Sequence, residues 1–153
     1  MNLSLFIVVL GGRSLKSNIE IHDVRWVIGE SIEDTFPELR GQWLGKISGL
    51  HIDSYKCIKY IDGYEIVITK SNKDNLNHPQ IEDLKLWFVN LGGYNPKKMY
   101  EEHEFNLIVA KKAIQAKNKA KKNWESNLKN KHNDDYSAIN YLEQIDDLHP
   151  IKI

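Results

Sequence analysis

The sequence predicts an α+β protein built as a tandem duplication of a β-β-α-β unit, with antiparallel sheets and one helix per repeat. Three observations carry this. An apolar run closed by two glycines occurs twice, as Leu5–Gly12 and as Leu86–Gly93. Each is followed, after the same gap, by a Glu-x-His: Glu20-Ile21-His22 and Glu101-Glu102-His103. Sliding the chain by 81 positions matches it to itself without a gap, with fourteen identities over Leu5–Ile68, where chance at average composition gives about four. A repeat of this length is too long for a solenoid and suggests two halves related by a pseudo-twofold axis. The expected boundaries are a first repeat over 1–70, a linker over 71–83 rich in Ser, Asn, Lys and Asp, and a second repeat over 84–153, both halves packed as one compact domain.

The elements follow in order. Asn2–Leu10 is continuously apolar and β-branched, the pattern of a strand buried on both faces. Gly11-Gly12 is expected to end it in a tight turn. Ile21–Gly29 is the second strand, and the short loop between them makes the pair an antiparallel hairpin. Ile32, Phe36, Leu39 and Trp43 fall on one helical face, with Pro37 expected to kink or divide the helix. Tyr55–Ile61 and Tyr64–Lys70 flank Asp62-Gly63, a two-residue hairpin signal. In the second repeat, Lys85–Leu91 and His103–Ala110 are strands. Lys111 to about Asn127 is a longer helix with Ala113, Ala116, Ala120 and Trp124 on its inner face. Tyr136–Ile145 is the last clear strand, and the tail Asp146–Ile153 is expected to add an edge whose pairing Pro150 limits.

Composition narrows the function classes. The 153 residues balance 21 basic against 21 acidic side chains, so no global field points to nucleic acid or membrane. The single Cys57 cannot form an internal disulfide and reads as a small hydrophobe in a reducing compartment. The apolar N-terminal run has no basic segment before it and no cleavage pattern after it. The expectation is therefore a cytoplasmic protein with no membrane partner.

Two sets of residues could carry chemistry. The glycines Gly11, Gly12, Gly92 and Gly93 do not cradle phosphate, because a strand follows them where a helix N-terminus is needed. On a strand, residues i and i+2 share a face, so Glu20 stands beside His22 and Glu101 beside His103. His51-x-Asp53 and His132-x-Asp134, related by the same offset, repeat the pairing. If each loop returns to its strand, each half gathers two imidazoles and two carboxylates, a ligand set for Zn²⁺ or Mn²⁺. The same groups can instead order loops by hydrogen bonding, and this reading is preferred. Glu with His can also serve as general acid and base, but no activated Ser, Thr or Cys accompanies them, so enzymatic activity stays open. The eight lysines of Lys111–Lys131 form either a solvated face or, as a weaker alternative, a nucleic-acid surface. The leading expectation is a non-catalytic binding or interaction protein, assembled as a homodimer through sheet edges. The alternative is a metal-binding protein or metal-dependent enzyme.

The Leu-Gly-Gly strand ends, Glu-x-His-Asp at Glu20–Asp23, His-Ile-Asp at His51–Asp53, Asp-Gly-Tyr at Asp62–Tyr64 and Leu-Gly-Gly-Tyr at Leu91–Tyr94 resemble the bacterial domain-of-unknown-function family 1543. The resemblance covers nearly the whole chain. It implies an α+β fold in one or two copies and no assigned activity, so no catalytic residue is carried over. The second copy departs from the pattern at His132-Asn133-Asp134 and lacks the Asp-Gly turn, which makes the first copy the better candidate for a site.

Overall fold

The computed structural model describes residues 3–69, 84–94, 98–129 and 144–150. The chain divides into two compact units, Met1–Leu76 and Asn77–Ile153.

In the first unit, β1 (Ser4–Gly12) is the central strand, paired antiparallel with β2 (Ile21–Gly29) on one side and β3 (His51–Ile58) on the other. Alternate residues of β1 face the helix. Phe6, Val8 and Leu10 are buried there against Val27, Ile32, Leu39 and Trp43. The helical segment comes in two pieces, a 3-10 turn at Glu33–Thr35 and then α1 (Phe36–Gln42). Pro37 lies in the first turn of α1, where its missing N–H has no intrahelical partner to lose. Before it, Asp34 accepts hydrogen bonds from the Ser31 N–H and hydroxyl, each at 2.8 Å. These bonds hold its carboxyl below the usual range. A small hairpin, β4 (Tyr60–Ile61) with β5 (Tyr64–Glu65), closes the unit. Its turn residues Asp62 and Gly63 both have positive φ, 52° and 81°, as a type I′ turn requires.

The second unit has the same order around β6 (Lys85–Tyr94), flanked by β7 (Glu101–Ala110) and β8 (Gln144–Pro150), with α2 (Ala113–Lys129) packed on one face. Trp87, Val89 and Leu91 occupy the positions of Phe6, Val8 and Leu10 and are buried against Ala116, Ala120 and Trp124. The larger Trp87, whose indole N–H donates to the Ala110 carbonyl at 2.9 Å, fills space that the small alanines of α2 leave free. Among the described residues no helix is long and apolar enough to cross a membrane.

Three sequence expectations are corrected. The glycine pairs do not end their strands: β1 runs through Gly11 and Gly12, and β6 through Gly92 and Gly93. None of the four has positive φ. The third strand of the first unit starts at His51, so His51 and Asp53 sit on a strand and not in a loop. Lastly, the gapless repeat fails beyond the helix. At an offset of 81 the third strand of the second unit would begin at His132; it begins at Gln144. The longer α2 displaces it along the chain, and the pairing with β6 identifies it. Gly92 faces Gln144 and Leu91 faces Ile145, as Gly11 faces His51 and Leu10 faces Ile52. The expected strand Tyr136–Ile145 lies outside the described residues up to its last two, and the tail expected to add an edge does so: most of β8, at the edge of the sheet beside β6, comes from it.

Candidate functional site

The four candidate residues of the first copy meet over Gly11. His22 faces Gly11 from β2, and His51 faces it from β3. Glu20 immediately precedes β2. Asp53 is brought in by a β-bulge: Val9 pairs with Ser54 and Leu10 with Ile52, so Asp53 is the extra residue. A bulge re-aims the side chain it carries, and Asp53 joins both imidazoles. His22 Nε2 lies 3.2 Å from Asp53 Oδ2 and 3.8 Å from Glu20 Oε2. His51 Nε2 lies 3.1 Å from Asp53 Oδ1 and 3.3 Å from Glu20 Oε1. The result is a ring in which each imidazole faces both carboxylates and each carboxylate faces both imidazoles.

Gly11 makes room for this ring. A Cβ there would lie 2.7 Å from His51 Nε2 and 3.1 Å from both Asp53 carboxylate oxygens. Gly12 makes room on the opposite face, where a Cβ would lie 2.8 Å from Trp43 Cζ2 in the core. The glycines serve close approach and not turn geometry.

One contact decides the protonation of His51. Its Nδ1 is 2.9 Å from the Gly49 carbonyl. A carbonyl only accepts, so Nδ1 carries the proton and donates. Gly49 holds this place with φ +86°, in a turn closed by the Leu50 N–H donating to the Ile47 carbonyl. That leaves His51 Nε2 facing two carboxylate oxygens. In a neutral ring a lone pair would point at negative charge, so the position calls for a proton or another cation. The Gly49 hydrogen bond accordingly raises the His51 pKa above its ordinary value, against the opposing effect of burial and aided by Glu20 and Asp53. The four side chains are 33–53% exposed, open to an ion from solvent. Among the described residues no group of three or more His, Cys, Asp or Glu side chains is arranged, as it stands, to hold a metal ion. The donors instead face one another in pairs.

The second unit brings together only part of the set. His103 faces Gly92 from β7, and its Nε2 is 3.7 Å from Glu101 Oε2. Asn90 Nδ2 lies 3.5 Å from His103 Nδ1. His132 and Asp134 lie outside the described residues. The register positions of His51 and Asp53 belong to Gln144 and Asp146, the latter again the extra residue of a bulge, between Ile145 paired with Leu91 and Asp147 paired with Asn90. Holding the offset constant across the helix, sequence reasoning set His132 and Asp134 at these register positions instead. It also missed the Gly49 carbonyl, although a glycine two residues before His51 is a visible turn signal. Asp23, the last residue of the Glu-x-His-Asp motif, accepts a hydrogen bond from the Val24 N–H and pairs with Arg25, outside the ring. On α2, Lys119 donates to the Val109 carbonyl at 2.9 Å, while Lys111, Lys112 and Lys122 are exposed.

Fold and site together define a two-unit α+β protein with a His–carboxylate ring beside a strand glycine. The chain belongs to the family Domain of Unknown Function (DUF1543), whose model matches it twice, over residues 17–68 and 98–149. Among solved structures it is similar to protein Il1583 from Idiomarina loihiensis, at 28% identity and a TM-score of 0.64, covering 99% of this chain and 88% of that one. No curated protein matches the chain.

Proposed function

We propose that this is a small non-catalytic binding protein whose ligand is a divalent transition-metal ion, held in the first unit by His22, His51, Glu20 and Asp53. We also take its two units to descend from one duplicated β-β-α-β ancestor. The observation that carries the metal reading is the Gly49 carbonyl on His51 Nδ1. Metal-bound imidazoles nearly always donate their other N–H to a carbonyl or carboxylate, which fixes the tautomer and aims the free lone pair. Here that lone pair is aimed at two carboxylate oxygens.

Spacing and charge support the same occupant. Neighbouring ligands on a four-coordinate Zn²⁺ or Mn²⁺ with bonds of about 2.0–2.2 Å stand roughly 3.3–3.6 Å apart. The four nitrogen–oxygen separations in the ring, 3.1, 3.2, 3.3 and 3.8 Å, bracket that range, with one inside it. Two carboxylates carry the charge that a divalent ion neutralises, and two imidazoles with no thiolate favour Zn²⁺ or Mn²⁺ over softer ions. Binding requires the paired donors to turn toward one centre, replacing hydrogen bonds by metal bonds. Exposed side chains can make that adjustment at low cost.

Calorimetric titration of chelator-treated protein with Zn²⁺ and with Mn²⁺ tests the proposal. One tight equivalent is expected, abolished by His22→Ala together with His51→Ala. Absence of binding heat up to millimolar ion, or tight binding that survives the double substitution, would sink it.

A further inference from the structure

Besides the imidazole–carboxylate ring, the first unit presents a face that is both basic and apolar. Two loops build it, residues 13–19 between β1 and β2 and residues 43–50 between α1 and β3. Together they carry Arg13, Lys16 and Lys46 and no Asp or Glu, in a chain whose 21 basic and 21 acidic side chains balance. The next acid along the chain, Glu20, faces the imidazoles of the ring. Among the described residues, Arg13, Lys16, Arg40 and Lys46 enter no ion pair.

The loops are tied together. The Lys46 N–H donates to the Arg13 carbonyl at 2.7 Å, and the Trp43 indole N–H donates to the Lys46 carbonyl at 3.0 Å. Gly45 permits the approach: a Cβ there would lie 2.7 Å from the Arg13 carbonyl oxygen and from Trp43 Nε1. Trp43 belongs to the core, so the core holds this face in place. A partner then meets a surface that is already formed and has little ordering cost to overcome.

On this frame large apolar side chains stay in water. Leu15, Leu44 and Ile47 are 84%, 62% and 55% exposed. Leu15 and Leu44 line a hollow of about 530 Å³ together with Lys16 and Lys46. Ile47 lines a second, of about 280 Å³, with Leu39, Leu50 and Arg40. Lys46 and Ile47 are consecutive, so the hollows adjoin along one loop. Exposed apolar side chains grouped within a polar rim mark an interaction site.

We propose that this face binds an acidic amphipathic segment of a partner protein, whose apolar side chains enter the two hollows and whose carboxylates meet Lys16, Lys46 and Arg40. Cations with no acid beside them call for negative charge. Hollows walled by leucine and isoleucine call for apolar side chains. Recesses accept side chains one at a time, which favours a peptide over a lipid surface, and two of them side by side exceed one small anion. The proposal is independent of the metal reading.

The test follows fluorescence anisotropy of a labelled peptide of alternating aspartate and leucine, titrated with the whole chain. Peptides with lysine for aspartate and with serine for leucine are the controls. Saturable binding of the first peptide alone is expected, weakening as salt rises. Lys16→Glu with Lys46→Glu should weaken it by at least about tenfold, and so should Leu15→Ser with Leu44→Ser. All four side chains are exposed, so both variants should keep the wild-type circular dichroism and urea midpoint. Should either pair disturb the fold, Leu15→Ala and Lys16→Ala read the same face singly, with a loss of at least about threefold expected from each. His22→Ala with His51→Ala should bind the peptide as the wild type does; loss of binding there would place the peptide on the ring and overturn the proposal. It is also overturned if the wild type shows no saturable binding, if the serine peptide binds equally, or if either folded variant keeps wild-type affinity. Vesicles of phosphatidylserine and phosphatidylcholine complete the test: vesicles bound by the wild type and not by the variants, with no peptide bound, would assign the face to lipid and overturn the peptide.

Discussion

Gly11→Ala separates the site from the fold more sharply than any ligand deletion. The added methyl would lie 2.7 Å from His51 Nε2 and 3.1 Å from both oxygens of Asp53. Non-bonded heavy atoms settle at about 3.5–4.0 Å, so the imidazole has to retreat by roughly 0.8 Å or more. Bound donors must come within about 0.2 Å of ordinary metal bond lengths, and the methyl stands in the space through which His51 and Asp53 would turn toward the ion. The affinity for Zn²⁺ should therefore fall by at least about tenfold to a hundredfold, the range seen even when only outer contacts of a metal ligand are lost. Stability should barely move. An alanine in a strand is favoured over glycine by about 0.5–1 kcal/mol, and the crowded groups are exposed side chains that can swing away. Gly12→Ala is the internal control. Its methyl meets the Trp43 ring at 2.8 Å in the core, where overpacking costs about 1–3 kcal/mol. Calorimetry with Zn²⁺ and urea unfolding in chelator, run on both variants, give the four numbers needed. A folded Gly11→Ala protein with wild-type affinity would refute the placement of the ion over Gly11.

Two other outcomes are expected. Leu10 and Leu91 are fully buried, so Leu10→Ala and Leu91→Ala should each cost about 2–5 kcal/mol in urea unfolding; losses below about 1 kcal/mol would mean that these positions are not core. In metal-free protein, the Gly49 hydrogen bond, opposed by burial and aided by Glu20 and Asp53, raises the folded-state pKa of His51. Its stabilising contribution is thus fully present below the unfolded value of about 6.5 and is lost as pH rises through the raised folded value. His51→Ala should flatten that part of the stability–pH curve, and a curve unchanged by the substitution would contradict the assigned contacts.

Much of the local structure is legible in the residues. Ile21–Gly29 coincides with β2, the Asp62-Gly63 turn is where its dipeptide places it, and Ile32, Leu39 and Trp43 of the expected helical face are buried, whereas Phe36 is 40% exposed and Thr35 is buried, because the segment divides into a 3-10 turn and α1. The same spacing identifies Ala116, Ala120 and Trp124 on α2. These are short-range patterns, and a period of 3.6 or 2 is enough to fix them.

What the residues left undecided depends on register. A constant offset of 81 pairs His51 with His132, and nothing local argues against it. Only the hydrogen-bonded ladder between β6 and β8 shows that Gln144 faces the glycine. The bulges that bring in Asp53 and set Asp146 at its register position are likewise properties of a strand pair and not of one strand. The Gly-Gly motif marks the same divide. Its recurrence identifies the central strand of each unit from sequence alone. Its purpose in the first unit is tertiary: Gly11 admits a ring of imidazoles and carboxylates contributed from both neighbouring strands, and Gly12 admits a tryptophan from beyond the helix. Distances between strands decide both, because they depend on which residues the ladder sets opposite one another and not on their separation along the chain.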